Sequence, residues 1–184
     1  MGHGYDVRRS QARAWLHVMN ATRRIRGQTA ANPAETAEKA QELLCEFNAL
    51  PANARTAPAL LEKLLGTWNG AVVRAPFHVD LGLNVHFDEG CFVDANCVIH
   101  DQAEVLIGSF TQVSTGVKIL TCDPENPISP RRIRIGRNVW IGANAVIHPG
   151  VTIGDDTIVS AGSVVTTDVP EGATVAGNPA KIIC

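Results

Sequence analysis

The 184-residue sequence contains no run of about 20 consecutive apolar residues, the length needed to cross a bilayer, so no membrane partner is expected. Its first residues, MGHGYDVRRSQARAW, lack the apolar stretch of a signal peptide. Cysteine is not arranged for cross-linking: five residues, Cys45, Cys91, Cys97, Cys122 and Cys184, form no CxxC pair, and an odd number cannot complete a disulfide framework. A reducing, cytoplasmic setting is therefore expected. Positive charge is also scarce. The formal net charge is -2, and arginine clusters only as Arg8-Arg9, Arg23-Arg24 and Arg131-Arg132, too little for a phosphate-binding face, which argues against a nucleic-acid partner. No HxxxxH pair occurs, so three imidazoles converging on zinc from adjacent repeats, as in γ-carbonic anhydrases, are not expected, and no metal site is assigned.

What the sequence does have is a period. Aliphatic residues recur every six positions as Ile135, Ile141, Ile147, Ile153, Val159 and Val165, with Gly136, Gly142 and Gly154 directly after three of them. An earlier series runs Phe87, Val93, Ile99, Val105, slips by two, and resumes at Ile107, Val113 and Ile119. A six-residue period fits neither a 3.6-residue helix nor plain strand alternation. It fits a short strand plus a turn, with one apolar residue per repeat pointing inward. Three such units close a triangular coil of about 18 residues, and coils stack at the strand spacing of about 4.8 Å. The fold class expected is an all-β, left-handed parallel β-helix. With an 18-residue coil, Ile135, Ile153 and Val117 to Ile119 should fall close to one ladder.

The rhythm breaks between Leu120 and Ile133, where TCDPENPISPRR carries three prolines. Proline cannot donate to a ladder, so residues 121–132 should leave the coil as a loop, and loops on rigid scaffolds often carry function. Upstream, Asn32-Pro33 precedes AETAEKAQELLCEFNAL, predicting a helix capped by Asn32 with an apolar stripe of Leu43, Leu44, Phe47 and Leu50. A second helix is expected from Ala57 to Leu65, and a further one between Gln11 and Arg26. The domain division expected is a helical cap over residues 1–70, covering the open end of a β-helix over residues 71–184.

The blocks IRIGRNVWIGANAVIHPGVTIGDDTIVSAGSVVTTDVPEGATVAGNPAKII and APFHVDLGLNVHFDEGCFVDANCVIHD, with the helical segment ending in FNAL, resemble the hexapeptide-repeat O-acetyltransferases of the maltose, galactoside and nodulation-factor group. The resemblance spans roughly residues 25 to 183. It implies a homotrimer with active sites between neighbouring β-helices, an acyl-CoA cosubstrate (acetyl-CoA foremost) and a small-molecule acceptor. Carried over by position, Trp140 and Ala143 border the pantetheine arm and Ala161 offers backbone groups to it. Thr166 and Thr167 lie near the nucleotide, and Lys181 partners its phosphates.

The family's general base is a histidine in a motif resembling T-x-T-H-P, a task suited to an imidazole pKa near working pH. This sequence reads Thr121-Cys122-Asp123-Pro124, one residue shorter and without histidine. The family's N-x-N reads Asp94-Ala95-Asn96, and Asp101 and Asp80 hold acceptor-side positions. Three carboxylates, Asp80, Asp94 and Asp101, are thus expected to face the cleft beside Cys122 and Asp123, which favours a cationic or amine-bearing acceptor. Asp123 as replacement base, Cys122 as covalent nucleophile, and His100, His86 or His78 reaching in from adjacent coils all stay open. Two other functions also stay open: a CoA-independent reaction on the same scaffold, and a non-catalytic trimeric binding module.

Overall fold

The computed structural model describes residues 33–51, 54–123 and 129–184. Within them, short strands stack into three parallel faces around a single core, a left-handed parallel β-helix. The seven-stranded face climbs through Val72–Val73, Phe92–Val93, Gln112–Val113, Trp140–Ile141, Ile158–Val159 and Thr174–Gly177, and ends in the antiparallel strand Ala180–Ile182. We call it the tryptophan face. The five-stranded histidine face climbs through Phe77–Val79, Cys97–His100, Lys118–Leu120, Val146–Ile147 and Val164–Val165. The third face stacks Val85–Phe87, Val105–Ile107, Ile133–Ile135 and Thr152–Ile153.

The six-beat residues are the inward ones. Val93, Ile99, Val113, Ile119, Ile141, Ile147, Ile153, Val159 and Val165 are all at most 2% exposed. A second inward position lies two residues before each, where Cys91, Cys97, Thr111, Val117, Val139, Ala145, Thr157 and Ser163 are also buried. The chain thus buries two residues per side, because alternate side chains of a strand share one face. Three residues past many of the inward aliphatics the backbone turns the corner at positive φ, which Asn96, Asn138, Asn144, Asp156, Gly116, Gly150 and Gly162 supply; after Ile99, Ile119 and Val165 it does not. Phe110, at φ 61°, is the bulky exception; its ring lies where a side chain on Gly90 would stand.

The expected ladder needs one correction. Ile135 does stack on Ile153, but below it lies Ile107; Val117 to Ile119 belong to the histidine face, where Ile119 pairs with Ile99 and Ile147. The coil is not uniformly 18 residues. In the lower coils Val73 pairs with Val93 and Val93 with Val113, twenty positions apart, since the step onto the third face, from Ile99 to Ile107, takes eight residues where the other sides take six. The loop then adds further residues between Val113 and its partner Ile141. The two-residue slip between Val105 and Ile107 is this longer side.

Two helices, α1 (Pro33–Asn48) and α2 (Ala57–Leu64), precede the coils. Leu44, Phe47, Leu60, Leu61 and Leu64 are buried and continuous with the coil core, while Leu43 and Leu50 are half-buried against it. Helix α1 also meets the open edge of the histidine face. The Asn48 side chain donates to Phe77 O and accepts from Phe77 N, both at 2.9 Å, and Gln41 Nε2 donates to Val79 O at 3.1 Å. The first strand is thereby given partners on its unpaired side. The expected cap at Asn32 and the helix between Gln11 and Arg26 lie outside the described residues.

Candidate active site

On the histidine face, the residue following each inward aliphatic points outward near the corner. Because Val79 pairs with Ile99 and His100 with Leu120, the outward column there runs Asp80, His100, Leu120. His100 Nδ1 lies 3.0 and 3.1 Å from the two carboxylate oxygens of Asp80, and Gln102 Nε2 donates to Asp80 Oδ2 at 3.3 Å. The imidazole is half-exposed, with 40% of its side-chain surface open. Its pKa is raised above the ordinary histidine value, first by the hydrogen bond to Asp80, against the opposing cost of burial.

The start of the 121–132 loop rests directly on this pair. Thr121 N donates to His100 O at 3.1 Å, and Thr121 Oγ1 donates to the same oxygen at 2.6 Å while accepting from Ala103 N. Arg131 N returns to Thr121 O at 2.7 Å, closing the loop at its base. Cys122 and Asp123 follow, both half-buried. Burial pushes the Cys122 thiol pKa up, and the charges of Asp123 and Asp80 push it further the same way. A thiolate nucleophile is disfavoured on all three counts.

The carboxylates do not form an open acidic cleft, which corrects the expectation for Asp80, Asp94 and Asp101. Asp101 is fully buried: Oδ1 accepts the N–H groups of Asp80 and Leu81 at 3.0 and 2.8 Å, and Oδ2 accepts that of Asn84 at 3.3 Å. It holds the Asp80–Asn84 turn and has no surface left for a substrate. Asp94 accepts from Arg74 Nη1 at 3.2 Å and from the Ala95 N–H. Asp80 is engaged by His100. Each carboxylate thus has a cation or a set of amides from its own chain, because the turns that place them also expose backbone donors. Asn96 is an exposed corner residue at φ 64°, where asparagine serves the backbone. His86 lies on the third face, bound to Thr67 Oγ1, away from this group, and His78 is exposed one coil below Val98. Gln102, Thr121 and Arg74 were not singled out by sequence; only their adjacency to Asp101, Cys122 and the first strand marks them.

The other candidates lie along the upper coils. Trp140 stands on the outer side of the tryptophan face, 56% exposed, with Nε1 donating to Ser114 Oγ one coil below at 3.2 Å. Ala143 and Ala161 occupy the next corner one coil apart, joined through Gly162 N to Ala143 O at 2.8 Å. The Cβ atoms are small here and Gly142 has none, since one would strike Ala161 N. Lys181 is on the terminal hairpin above, paired with Ala176. Thr166 and Thr167 are exposed beyond the histidine face, a corner further round. Trp140, Ala143, Ala161 and Lys181 therefore share one wall, while Thr166 and Thr167 sit round the prism from it. Among the described residues no group of histidine, cysteine and carboxylate side chains is placed to hold a metal, and no helix is long and apolar enough to cross a membrane.

A β-helix with an exposed aromatic wall, small-residue corners and a loop interrupting the coil defines the class of hexapeptide-repeat transferases. Residues 132–167 match the family described as bacterial transferase hexapeptide (six repeats). The chain is 49% identical to nodulation protein L of Rhizobium meliloti (strain 1021) over 121 residues, 61% of this chain and 66% of that one. It is 32% identical to the galactoside O-acetyltransferase of Escherichia coli (strain K12) over 155 residues, 79% of this chain and 76% of the relative. Its fold is similar to a hexapeptide-repeat acetyltransferase of Vibrio cholerae O1 biovar eltor solved with acetyl-CoA, at TM-score 0.78 and 30% identity over 85% of this chain and 90% of that one. The protein belongs to the hexapeptide-repeat acetyltransferase family.

Proposed function

We propose that the protein transfers an acyl group, acetyl foremost, from its CoA thioester to a hydroxyl of a small carbohydrate-like acceptor. The observation that carries this is the Trp140 wall: a large aromatic held outward by a hydrogen bond, with alanine corners beside it. An extended pantetheine arm needs such a low-relief apolar track, flanked by backbone groups that can pair with its amides. Lys181 stands on the same wall as a charge partner for phosphates, and Thr166 and Thr167 supply hydroxyls at the adjoining corner. The Vibrio cholerae relative is solved with acetyl-CoA, and the Escherichia coli relative is named for O-acetylation of galactosides.

A hydroxyl acceptor is favoured over a cationic one by the pairing of the carboxylates. Arg74 neutralises Asp94, and both Asp80 oxygens are already engaged by His100 and Gln102, so no carboxylate here stands open to hold an ammonium group directly. Neutral hydroxyls match alternating donors and acceptors such as Asp80, Gln102 and Asp94 better.

The wall by itself is open to solvent on one side. In its outward column Val72, Trp140 and Ile158 leave large apolar side chains exposed, with Gln112 between the first two, and a second wall is needed to enclose a ligand. A neighbouring copy in a homotrimer supplies that wall. The test of the reaction is incubation with radiolabelled acetyl-CoA and a panel of galactosides, maltose and amino sugars, with products separated by base lability. Base-labile O-acetyl product supports the reading; acetyl confined to amines, or none on any acceptor, overturns it.

A further inference from the structure

We propose that His100, oriented by Asp80 across one coil, is the general base that deprotonates the acceptor hydroxyl. The inference rests on the acyl-transfer reading above. The geometry is that of an imidazole with one nitrogen committed and one available. Nδ1 faces both oxygens of Asp80 at 3.0 and 3.1 Å, so in the neutral ring Nδ1 carries the proton and donates it to the carboxylate. Nε2 then holds the lone pair, and among the described residues it has no hydrogen-bond partner. Asp80 is itself held, by Gln102 Nε2, and its turn is fixed by Asp101 through the Asp80 and Leu81 N–H groups. Nucleophile-activating imidazoles are built in this way, a base steadied by a carboxylate that other groups steady in turn.

Position supports the assignment as much as geometry. The loop that interrupts the coil begins on the carbonyl of His100, gripped twice by Thr121, and Cys122 is near enough to Asp80 to feel its charge. The imidazole therefore sits at the foot of the loop where, by the family resemblance, Cys122-Asp123 stand in place of a histidine. In the step, Nε2 takes the hydroxyl proton as the acceptor oxygen bonds to the thioester carbonyl carbon. The tetrahedral adduct collapses, the C–S bond breaks, and the imidazolium returns its proton to the departing CoA thiolate. Asp80 acts as a positioning residue and stabilises the imidazolium.

The test uses the full chain and bromoacetyl-CoA, whose electrophilic methylene lies where the transferring acyl group would be, followed by peptide mapping. Cys122→Ser removes the competing thiol. Alkylation of His100 that acetyl-CoA suppresses is the expected result, with a labelling rate rising through a titration above the ordinary imidazole value of about 6.5. Asp80→Asn should move that titration to lower pH, a change that a merely structural role for Asp80 would not produce. If the protein binds acetyl-CoA saturably by calorimetry and the label lands elsewhere, or His100→Gln retains more than half of the CoA release from acetyl-CoA, the base assignment is overturned. Absence of saturable acetyl-CoA binding instead overturns the donor reading, and the base assignment with it.

Discussion

Asp101 owes its place to the backbone it ties rather than to a substrate. Three N–H groups converge on a fully buried carboxylate, and hydrogen bonds to a charged acceptor are worth about 1.5–3 kcal/mol each in net terms. Burial nevertheless raises its pKa to about 6, opposed by the N–H donors and assisted by the charge of Asp80. The unfolded carboxyl loses its proton near pH 4, so between about pH 4 and about 6 the folded state holds a proton that the unfolded state has released. Stability contributed through this group must therefore fall as pH rises through that window and level off above it. Asp101→Asn should cost about 2 kcal/mol at neutral pH, since an amide turns N–H groups toward N–H donors. Urea midpoints of the two proteins across the window check both points; a variant with unchanged midpoint and unchanged pH slope contradicts them. Ser163 is the converse case, a buried hydroxyl with no hydrogen-bond partner among the described residues. Ser163→Ala should leave stability unchanged or raise it by about 1 kcal/mol in the same measurement.

At the scale of single elements, the rungs and their corners show how the six-beat pattern works. A regular side has a buried aliphatic, a second buried residue two before it and a left-handed corner three after it, as in Ala145, Ile147 and Gly150. The aliphatic beat was legible in sequence because it is periodic. The companion position was not, because threonine, serine, cysteine and alanine carry no distinctive hydropathy, and Thr111 is satisfied only through contacts between coils, donating to Gly136 O and accepting from Val139 N. Ile147→Ala should cost about 2–5 kcal/mol, as for other fully buried aliphatics. The helical cap is joined by a more specific device. Asn48 copies a neighbouring strand, giving Phe77 both a donor and an acceptor, and Asn48→Ala leaves two edge groups unmet. A loss of about 2 kcal/mol in chemical denaturation, with faster proteolysis between α1 and the first coil, is expected; unchanged proteolysis would mean that apolar packing alone seats the helix. The carboxylates were misjudged from sequence for a related reason. The family resemblance placed Asp80, Asp94 and Asp101 together at the cleft, but their partners Arg74, His100 and the Asp80–Asn84 turn amides come from neighbouring coils, and only the coil length of the lower repeats brings them into register.

For the molecule as a whole, the division of labour follows the prism. On the proposed reading the histidine face, where the loop begins, carries the acid–base chemistry, and the tryptophan face carries the donor track. Two faces of a convex prism cannot close around one ligand, so the proposed reaction calls for a neighbour, and the outward column through Val72, Trp140 and Ile158 is where it should lie. Sedimentation should give three copies per particle, and a monomer at micromolar concentration would leave the wall without its partner. The claim on which the account turns is that this wall binds the acyl donor. Calorimetric titration of the protein with acetyl-CoA tests it most directly, beside Trp140→Ala. Saturable binding at one donor per chain, weakened at least tenfold by the substitution, is the expected result. Absence of binding at millimolar acetyl-CoA, or equal affinity in the two proteins, would contradict it.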